Sequence, residues 1–202
     1  MPNARLTKLD AVNDILSALG HRQVTTIQGT TSQHARNAVN MLNQADRMIQ
    51  LQGWSFNYLP EVTYSVDASN GFVYIPDNVV QFTVPFERQY QIRGNRVFDR
   101  SRNTYVIETA LTGSAKVLLD FDELPEAAKN YITRMAARSA YDKFIGSDET
   151  RQTLYAEEVM ARQELVNYDA ETASYTMLDH YSQPRLCGSD YVPGTIRNDP
   201  LT

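Results

Sequence analysis

Cysteine is nearly absent from this sequence, because Cys187 is the only one among 202 residues. A single thiol forms no internal disulfide and cannot build a zinc site from several thiolates. Long apolar runs are also missing, so no segment is long enough to span a bilayer. The opening Met1-Pro2-Asn3-Ala4-Arg5 lacks the apolar core of a secretory signal. We therefore expect a protein that is made and used without export, in keeping with a reducing compartment.

An excess of positive charge is absent too. The chain has 19 lysines and arginines against 24 aspartates and glutamates, a formal net charge of −5. A general nucleic-acid binder normally carries a basic face and a high pI, so this class is disfavoured. A surface past which DNA slides is compatible with the charge, because such a surface should not grip phosphates. The apolar fraction of 42% is typical of an ordinary globular protein, with one domain or a domain that carries a smaller insert.

Motifs for catalysis or cofactor binding are missing. The glycines are isolated and form neither a Walker nor a dinucleotide fingerprint. No G-x-S-x-G elbow is present, and Cys187-Gly188-Ser189 lies in a C-terminal segment without a rigid surround. The three histidines are far apart in sequence and have no metal-ligand spacing; they are His21, His34 and His180. We therefore predict no metal, no cofactor and no catalytic triad.

A pair of carboxylates is the one catalytic possibility left open, since a glycosidase needs only two with separated pKa values. Asp120, Asp122 and Glu123 cluster where a strand gives way to a helix, and Asp99 lies upstream. Acids at a helix start are expected from capping and from the helix dipole alone. We therefore favour a structural role for all four and keep polysaccharide hydrolysis as the alternative.

Apolar residues at helical spacing predict four helices. Capping residues and terminal glycines place them at about 7–20, 32–52, 122–146 and 148–172. Small residues in the middle of the third helix allow close approach of its neighbours, so we predict that it is the central one. Met48 of the second helix and Phe144 of the third are counted among the predicted buried residues.

Between Trp54 and Phe121 the pattern changes to β-branched and aromatic residues that alternate with polar ones. Turn signals divide this region, and Gly94-Asn95 between two apolar runs predicts a tight hairpin. Trp54 is expected to seal the junction of helix and sheet. The predicted strands are Phe72-Val73-Tyr74-Ile75, Tyr90-Gln91-Ile92-Arg93, Arg96-Val97-Phe98, Tyr105-Val106-Ile107 and Lys116-Val117-Leu118-Leu119.

The predicted fold class is therefore α+β. We expect a four-helix bundle formed by both chain ends (residues 1–53 and 122–173), with a small antiparallel β domain inserted at 54–121. Residues 174–202 have prolines, glycines and no helical period, but they keep apolar residues that a freely disordered tail would normally lack. We predict an extended segment that packs on its own body or on a neighbour. Its interface residues are predicted to be Tyr175, Met177, Leu178 and Tyr181.

Five arginines surround the predicted hairpin, namely Arg88, Arg93, Arg96, Arg100 and Arg102. One interpretation is contact with an acidic partner or with phosphate. The other is a solvated hairpin tip whose arginines pair with Glu87, Asp99 and Glu108. We favour protein contact and name Arg93, Arg96 and Arg100 as candidate interface residues.

Several segments, in order along the chain, resemble the tail tubular protein A family of short-tailed bacteriophages. No single one is a catalytic signature, but their joint order is specific and extends from about residue 9 to 180. The segments are Ala11-Val12-Asn13-Asp14-Ile15-Leu16-Ser17-Ala18-Leu19-Gly20, Val39-Asn40-Met41-Leu42-Asn43, Gln50-Leu51-Gln52-Gly53-Trp54-Ser55-Phe56-Asn57, Arg93-Gly94-Asn95-Arg96-Val97-Phe98-Asp99-Arg100, Asp122-Glu123-Leu124-Pro125-Glu126, Phe144-Ile145-Gly146 and Tyr175-Thr176-Met177-Leu178-Asp179.

The resemblance implies a structural head-to-tail adaptor rather than an enzyme. Members of this family form a ring of twelve copies between the portal and the nozzle protein (tail tubular protein B), near the attachment of the tail fibres. The ring passes the genome during DNA ejection without specific binding. The implied location is the virion tail, after assembly in the host cytoplasm. A head-completion protein from another phage group, with a similar helical body, stays a third hypothesis.

Overall fold

Two helices, five short antiparallel strands and two further helices follow one another in the computed structural model, which describes residues 5–29, 32–146 and 148–173. The predicted α+β class is confirmed. The helices are α1 (Lys8–Ala18), α2 (Gln33–Gln50), α3 (Glu126–Phe144) and α4 (Asp148–Thr172). The strands are β1 (Tyr58–Tyr64), β2 (Val79–Thr83), β3 (Tyr90–Arg93), β4 (Arg96–Asp99) and β5 (Leu111–Val117).

The starts of the first two helices follow from their capping residues. Thr7 and Asp10 form a capping box at α1, in which each side chain accepts the other residue's backbone N–H. Ser32 caps α2 by accepting the N–H of Ala35 at 3.4 Å. Both helices therefore begin where the sequence predicts.

The third helix begins later than predicted. Asp122 lies in a short 3-10 turn (Phe121–Glu123), and α3 starts at Glu126. Pro125 explains the delay, because a residue before proline is disfavoured in the helical region. Leu124 accordingly has ψ of 153° and is extended.

All four helices contribute to one hydrophobic core, and α3 contacts α1, α2 and α4. The predicted central position of α3 is therefore confirmed. The prediction of burial is wrong for two residues, since Met48 is 49% exposed and Phe144 is 48% exposed. The buried stripe of α2 passes through Ala45 and Ile49 and leaves Met48 on its flank, while Phe144 is the last residue of α3, beyond the last buried one, Tyr141.

The strands form a three-stranded antiparallel sheet in the order β1-β5-β2 and a β3–β4 hairpin. Two of the predicted strands and the Gly94-Asn95 turn are confirmed by β3 and β4. β5 contains part of the predicted 116–119 strand but begins at Leu111. The predicted strands 72–75 and 105–107 are wrong, since in 72–75 only Val73 and Tyr74 form isolated bridges and 105–107 has no strand pairing.

The prediction missed β1 and β2. β1 contains Pro60, which argues against a strand in the sequence, because proline cannot donate to a strand ladder and is confined to edges and bulges. In the structure β1 is an edge strand, and its register with β5 shifts between Leu59 and Val62, around Pro60. A second hydrophobic core lies on these strands and their connections; it contains Val73, Ile75, Val79, Phe82, Val97, Ile107, Leu111, Ala115 and Val117.

Polar side chains fasten the end of α2 to the central strand β5. Asn57 is fully buried, and its Nδ2 donates to the carbonyls of Gln50 (2.8 Å) and Val117 (3.0 Å). Trp54 is buried in the helical core, and its Nε1 donates to the carbonyl of Ile49 at 2.9 Å. Lys116 Nζ donates to the Gln52 carbonyl at 3.2 Å.

Candidate interaction surfaces

The arginines near the hairpin divide into groups that the sequence did not separate. Arg93 and Arg96 face each other in register at the hairpin turn. Arg100 follows the opposite end of the same ladder, where its N–H donates to the carbonyl of Gln89 at 2.9 Å. Arg102 is in an ion pair with Glu108, with Arg102 Nη1 3.0 Å from the carboxylate.

Aromatic rings support the two arginines at the hairpin turn. The guanidinium carbon of Arg93 lies 3.6 Å from the centroid of the Phe98 ring. That of Arg96 lies 4.6 Å from the Tyr105 centroid and 5.2 Å from the Phe72 centroid. Stacking holds a guanidinium by its flat face and leaves the N–H edge available to a carboxylate or phosphate.

Ion pairs compensate only part of the positive charge of the arginines near the hairpin. The predicted pairing with acids applies to Arg102, which lies near both Asp99 and Glu108. Among the ion pairs of the described ranges, none includes Arg93, Arg96 or Arg100. These three arginines, two at the hairpin turn and one past the other end of the ladder, are called here the arginine surface.

A protruding aromatic residue, which the sequence analysis missed, lies between β2 and β3. Phe86 is fully exposed, with a relative accessibility of 106%. It lies in a turn closed by a hydrogen bond from the Glu87 N–H to the Val84 carbonyl at 3.3 Å. Pro85 occupies the second position of this turn, where its fixed φ is favoured, and Phe86 has φ of +63°. The Pro-Phe pair in a charged segment was the available signal.

The backbone of Phe86 is strained. A bulky residue at positive φ costs on the order of 1 kcal/mol or more, and glycine or asparagine is normally found there. The ring gains no burial that would offset this cost, because it is exposed in full. A strained turn thus holds a large apolar side chain in water.

Two of the four candidate acids, Asp99 and Asp122, have structural partners. The Asp99 side chain is buried and accepts hydrogen bonds from the Ser101 hydroxyl (2.7 Å) and from the Ser101 N–H (2.8 Å). The hydroxyl bond is the main cause that holds the pKa of Asp99 below its ordinary value. Asp122 accepts the N–H of Lys8 at 3.0 Å and so helps to begin α1. Asp120 and Glu123 are exposed.

Two histidines that are far apart in sequence lie together in the fold. The rings of His21 and His34 are 3.8 Å apart, beside a groove lined also by Phe144 and Ile145. Within the described ranges no group of three or more histidines, cysteines or acids could hold a metal ion. His180 and Cys187 lie outside the described residues.

The remaining predicted interface residues are also outside the described part of the chain. They are Tyr175, Met177, Leu178 and Tyr181. Across the described helices, none combines the length and the apolar character needed to cross a membrane.

Comparison with known proteins identifies the class and then the family. The family model described as "Tail tubular protein" matches residues 9–175. The chain is also 27% identical over 155 residues to tail tubular protein A of Klebsiella phage KP34, a match that covers 76% of this chain and 81% of the relative. The class is therefore that of structural components of bacteriophage tails, which are found in the virion. The chain belongs to the tail tubular protein family, and the resemblance found in the sequence is confirmed.

Proposed function

We propose that this chain is a head-to-tail adaptor, a ring of twelve copies between the portal and the nozzle protein that forms part of the DNA ejection channel. The observation that carries the proposal is the match to tail tubular proteins over residues 9–175. That range includes both hydrophobic cores, so the likeness extends to the whole described body. The proposed role is structural, without catalysis and without a cofactor.

The chain is proposed to divide its contacts between two structural units. The bundle of four helices from residues 1–53 and 122–173 would contact neighbouring copies and the portal. The β domain at 54–121 would face the distal tail, because it carries both Phe86 and the arginine surface. A partner suited to these features has an apolar pocket with acidic side chains around it. We assign this partner role to the nozzle protein, with tail fibres near the same junction.

Residues 174–202 are proposed to dock on the portal or on a neighbouring copy through Tyr175, Met177, Leu178 and Tyr181. The net charge of −5 supports a bore that passes DNA without binding it. Assembly would take place in the host cytoplasm, before the protein is found in the virion tail.

Mixing the purified chain with purified portal and imaging the product by electron microscopy tests the proposal. We expect a ring seated on the portal, and we expect a chain truncated after residue 173 to fold but to dock weakly. A chain that joins a different head structure would point to the head-completion class. Failure of the folded full-length chain to join any portal complex contradicts the proposal.

A sugar-release assay tests the enzymatic alternative. The proposal predicts no release by the purified chain. Release that is lost when the four candidate acids are replaced by alanine would contradict a purely structural role; these acids are Asp99, Asp120, Asp122 and Glu123.

A further inference from the structure

The outward side of α4 carries an apolar stripe that nothing in the described chain covers. Its large apolar members are 38–68% exposed; they are Tyr155, Val159, Met160 and Val166. The core-facing side of the helix is separate and contains Leu154, Ala161 and Leu165. When a helix is apolar on two sides and only one faces the core, the other side is available to bind another molecule.

The stripe follows the spacing of a helix–helix seam. Positions separated alternately by four and three residues run along most of α4, all of them exposed: Gln152, Ala156, Val159, Gln163, Val166 and Ala170. Side chains at this spacing stay on one face of a helix, as in coiled coils. We call these six residues together with Tyr155 and Met160 the α4 stripe.

The α4 stripe contains no charged residue, although α4 as a whole is highly charged. The helix has seven acids and two arginines, and none is a member of the stripe. Glu157 and Glu158 instead pair with Arg134 and Arg138 of α3. Since unpaired charges are the costly groups in a helix interface, their absence favours close packing against another helix.

The outward side of α2 has matching spacing and complementary chemistry. It carries Gln33, Asn37, Asn40, Gln44, Arg47 and Leu51, again four and three residues apart. Its side chains are mostly amides, longer than the alanines and valines of the α4 stripe. The one acid in α2, Asp46, is half-buried and hydrogen-bonded to Gln50, so the outward side is free of exposed acids and basic at Arg47. We call these six residues the α2 face.

The two surfaces complement each other in size and charge. The alanines and valines of the α4 stripe leave room for the amides of the α2 face, and its two glutamines, Gln152 and Gln163, can form hydrogen bonds with them. The acids that flank the stripe, such as Glu164 and Glu171, suit a basic neighbour. Both α2 and α4 pack on α3, so each can be exposed on its own side of the helical core.

We propose that the α4 stripe of one copy packs on the α2 face of the next copy. A closed ring needs two different complementary patches on each subunit, and these helices supply such a pair. This inference rests on the proposed function, since it assigns the contact between copies in the ring to named residues. A contact of α4 with α4 would be isologous and would stop at a dimer.

Cysteine cross-linking in assembled tails tests the contact. The chain carries Cys187→Ser, Val159→Cys and Asn40→Cys, and a short bismaleimide reagent is added to purified particles. Val159 and Asn40 lie near the middle of their helices, so their proximity does not depend on whether the helices run parallel or antiparallel. The expected product is a ladder of covalent trimers and larger species that contain only this chain.

The matched control replaces Val159→Cys by Glu157→Cys, since Glu157 also lies near the middle of α4 but on the side that pairs with Arg134 of α3. This control should give little or no ladder. The proposed contact is overturned if the control gives an equal ladder or if the cross-linked product contains another protein. It is also overturned if a chain with Cys187→Ser and Val159→Cys, but without Asn40→Cys, gives a covalent dimer. Absence of any cross-link while the chain is present in the tails also overturns it and leaves the adaptor function standing. Absence of the chain from the tails overturns the adaptor function and the contact with it.

Discussion

Gln50 and Leu119 exchange two hydrogen bonds across 69 positions of sequence: the Leu119 N–H donates to Gln50 Oε1 at 2.8 Å, and Gln50 Nε2 donates to the Leu119 carbonyl at 2.9 Å. Leu119 lies two residues after the end of β5, and the Gln50 side-chain amide makes the two hydrogen bonds that a neighbouring strand would otherwise make with it. Gln50 is 1% exposed, and Leu119 packs against both hydrophobic cores. This pair joins the helical part of the chain to the sheet.

Gln50→Leu should destabilise the protein because it leaves the backbone N–H and carbonyl of Leu119 without these partners. Each unsatisfied buried group costs about 1–3 kcal/mol, so for two such groups we expect a loss of roughly 2–6 kcal/mol in the free energy of unfolding. Urea denaturation followed by circular dichroism measures this loss. Gln52→Leu, at an exposed position, is the control and should change stability by less than about 0.5 kcal/mol. Equal effects of the two substitutions would show that the Gln50 amide is dispensable.

Gly113→Ala should also destabilise the protein, for a steric reason. A Cβ at Gly113 would lie 2.3 Å from the Thr83 carbonyl oxygen, a backbone atom that can move only if β2 shifts against β5. Overpacking of this kind costs about 1–3 kcal/mol. Gly94→Ala meets no atom within 4 Å and has only the cost of its φ of +63°, about 1 kcal/mol. Thermal unfolding of both variants checks the order, and a higher melting temperature for Gly113→Ala than for Gly94→Ala would contradict it.

Ser101→Ala should change how stability depends on pH. The Ser101 hydroxyl is the main cause of the lowered pKa of Asp99. A carboxyl whose folded pKa is lowered contributes stability that is present above its unfolded pKa of about 3.9 and is lost as the pH falls through the folded pKa. We therefore expect the variant to be less stable than the parent at neutral pH and the difference to shrink below about pH 4. Denaturation curves at several pH values measure it, and a difference that grows toward acid pH would refute the role of this hydrogen bond.

Substitution of Phe86 should separate stability from binding. Phe86→Asn relieves the positive φ, so the free protein should be as stable as the parent or more stable by up to about 1 kcal/mol. Phe86→Ala keeps the strain and removes the ring. Both variants should bind the nozzle protein at least about tenfold more weakly, the loss expected for an aromatic anchor. Calorimetric titration measures the affinity, and unchanged binding of Phe86→Ala would exclude Phe86 as an anchor.

The helix starts were predictable because local chemistry determines them. Thr7 and Ser32 each satisfy backbone donors within the next turn, and nothing distant is required. β1 was hidden for the opposite reason: Pro60 argues locally against a strand, while pairing with β5, about fifty residues later, forms one. The start of α3 was predictable from Pro125, because a residue before proline disfavours the helical conformation. The apolar residues at helical spacing indicated an earlier start instead, and Leu124 is in fact extended.

The candidate interface was predictable only as a group of arginines. Their number around Gly94 is visible in the sequence, but the separation of Arg102 from Arg93 depends on which acids and rings the fold brings near them. Pro85 signals a turn at Phe86, but the exposure of the ring was missed because an aromatic residue among β-branched neighbours normally enters the core.

In vitro complementation tests the adaptor role most directly. DNA-filled heads that lack this protein are incubated with the purified chain and then with the remaining tail proteins, and infectious particles are counted. We expect the folded chain to restore infectivity, and the variant with alanine at its four candidate acids to do so equally whenever it folds. Heads that stay non-infectious after addition of the folded wild-type chain, under conditions in which the other tail proteins are active, would contradict the adaptor role.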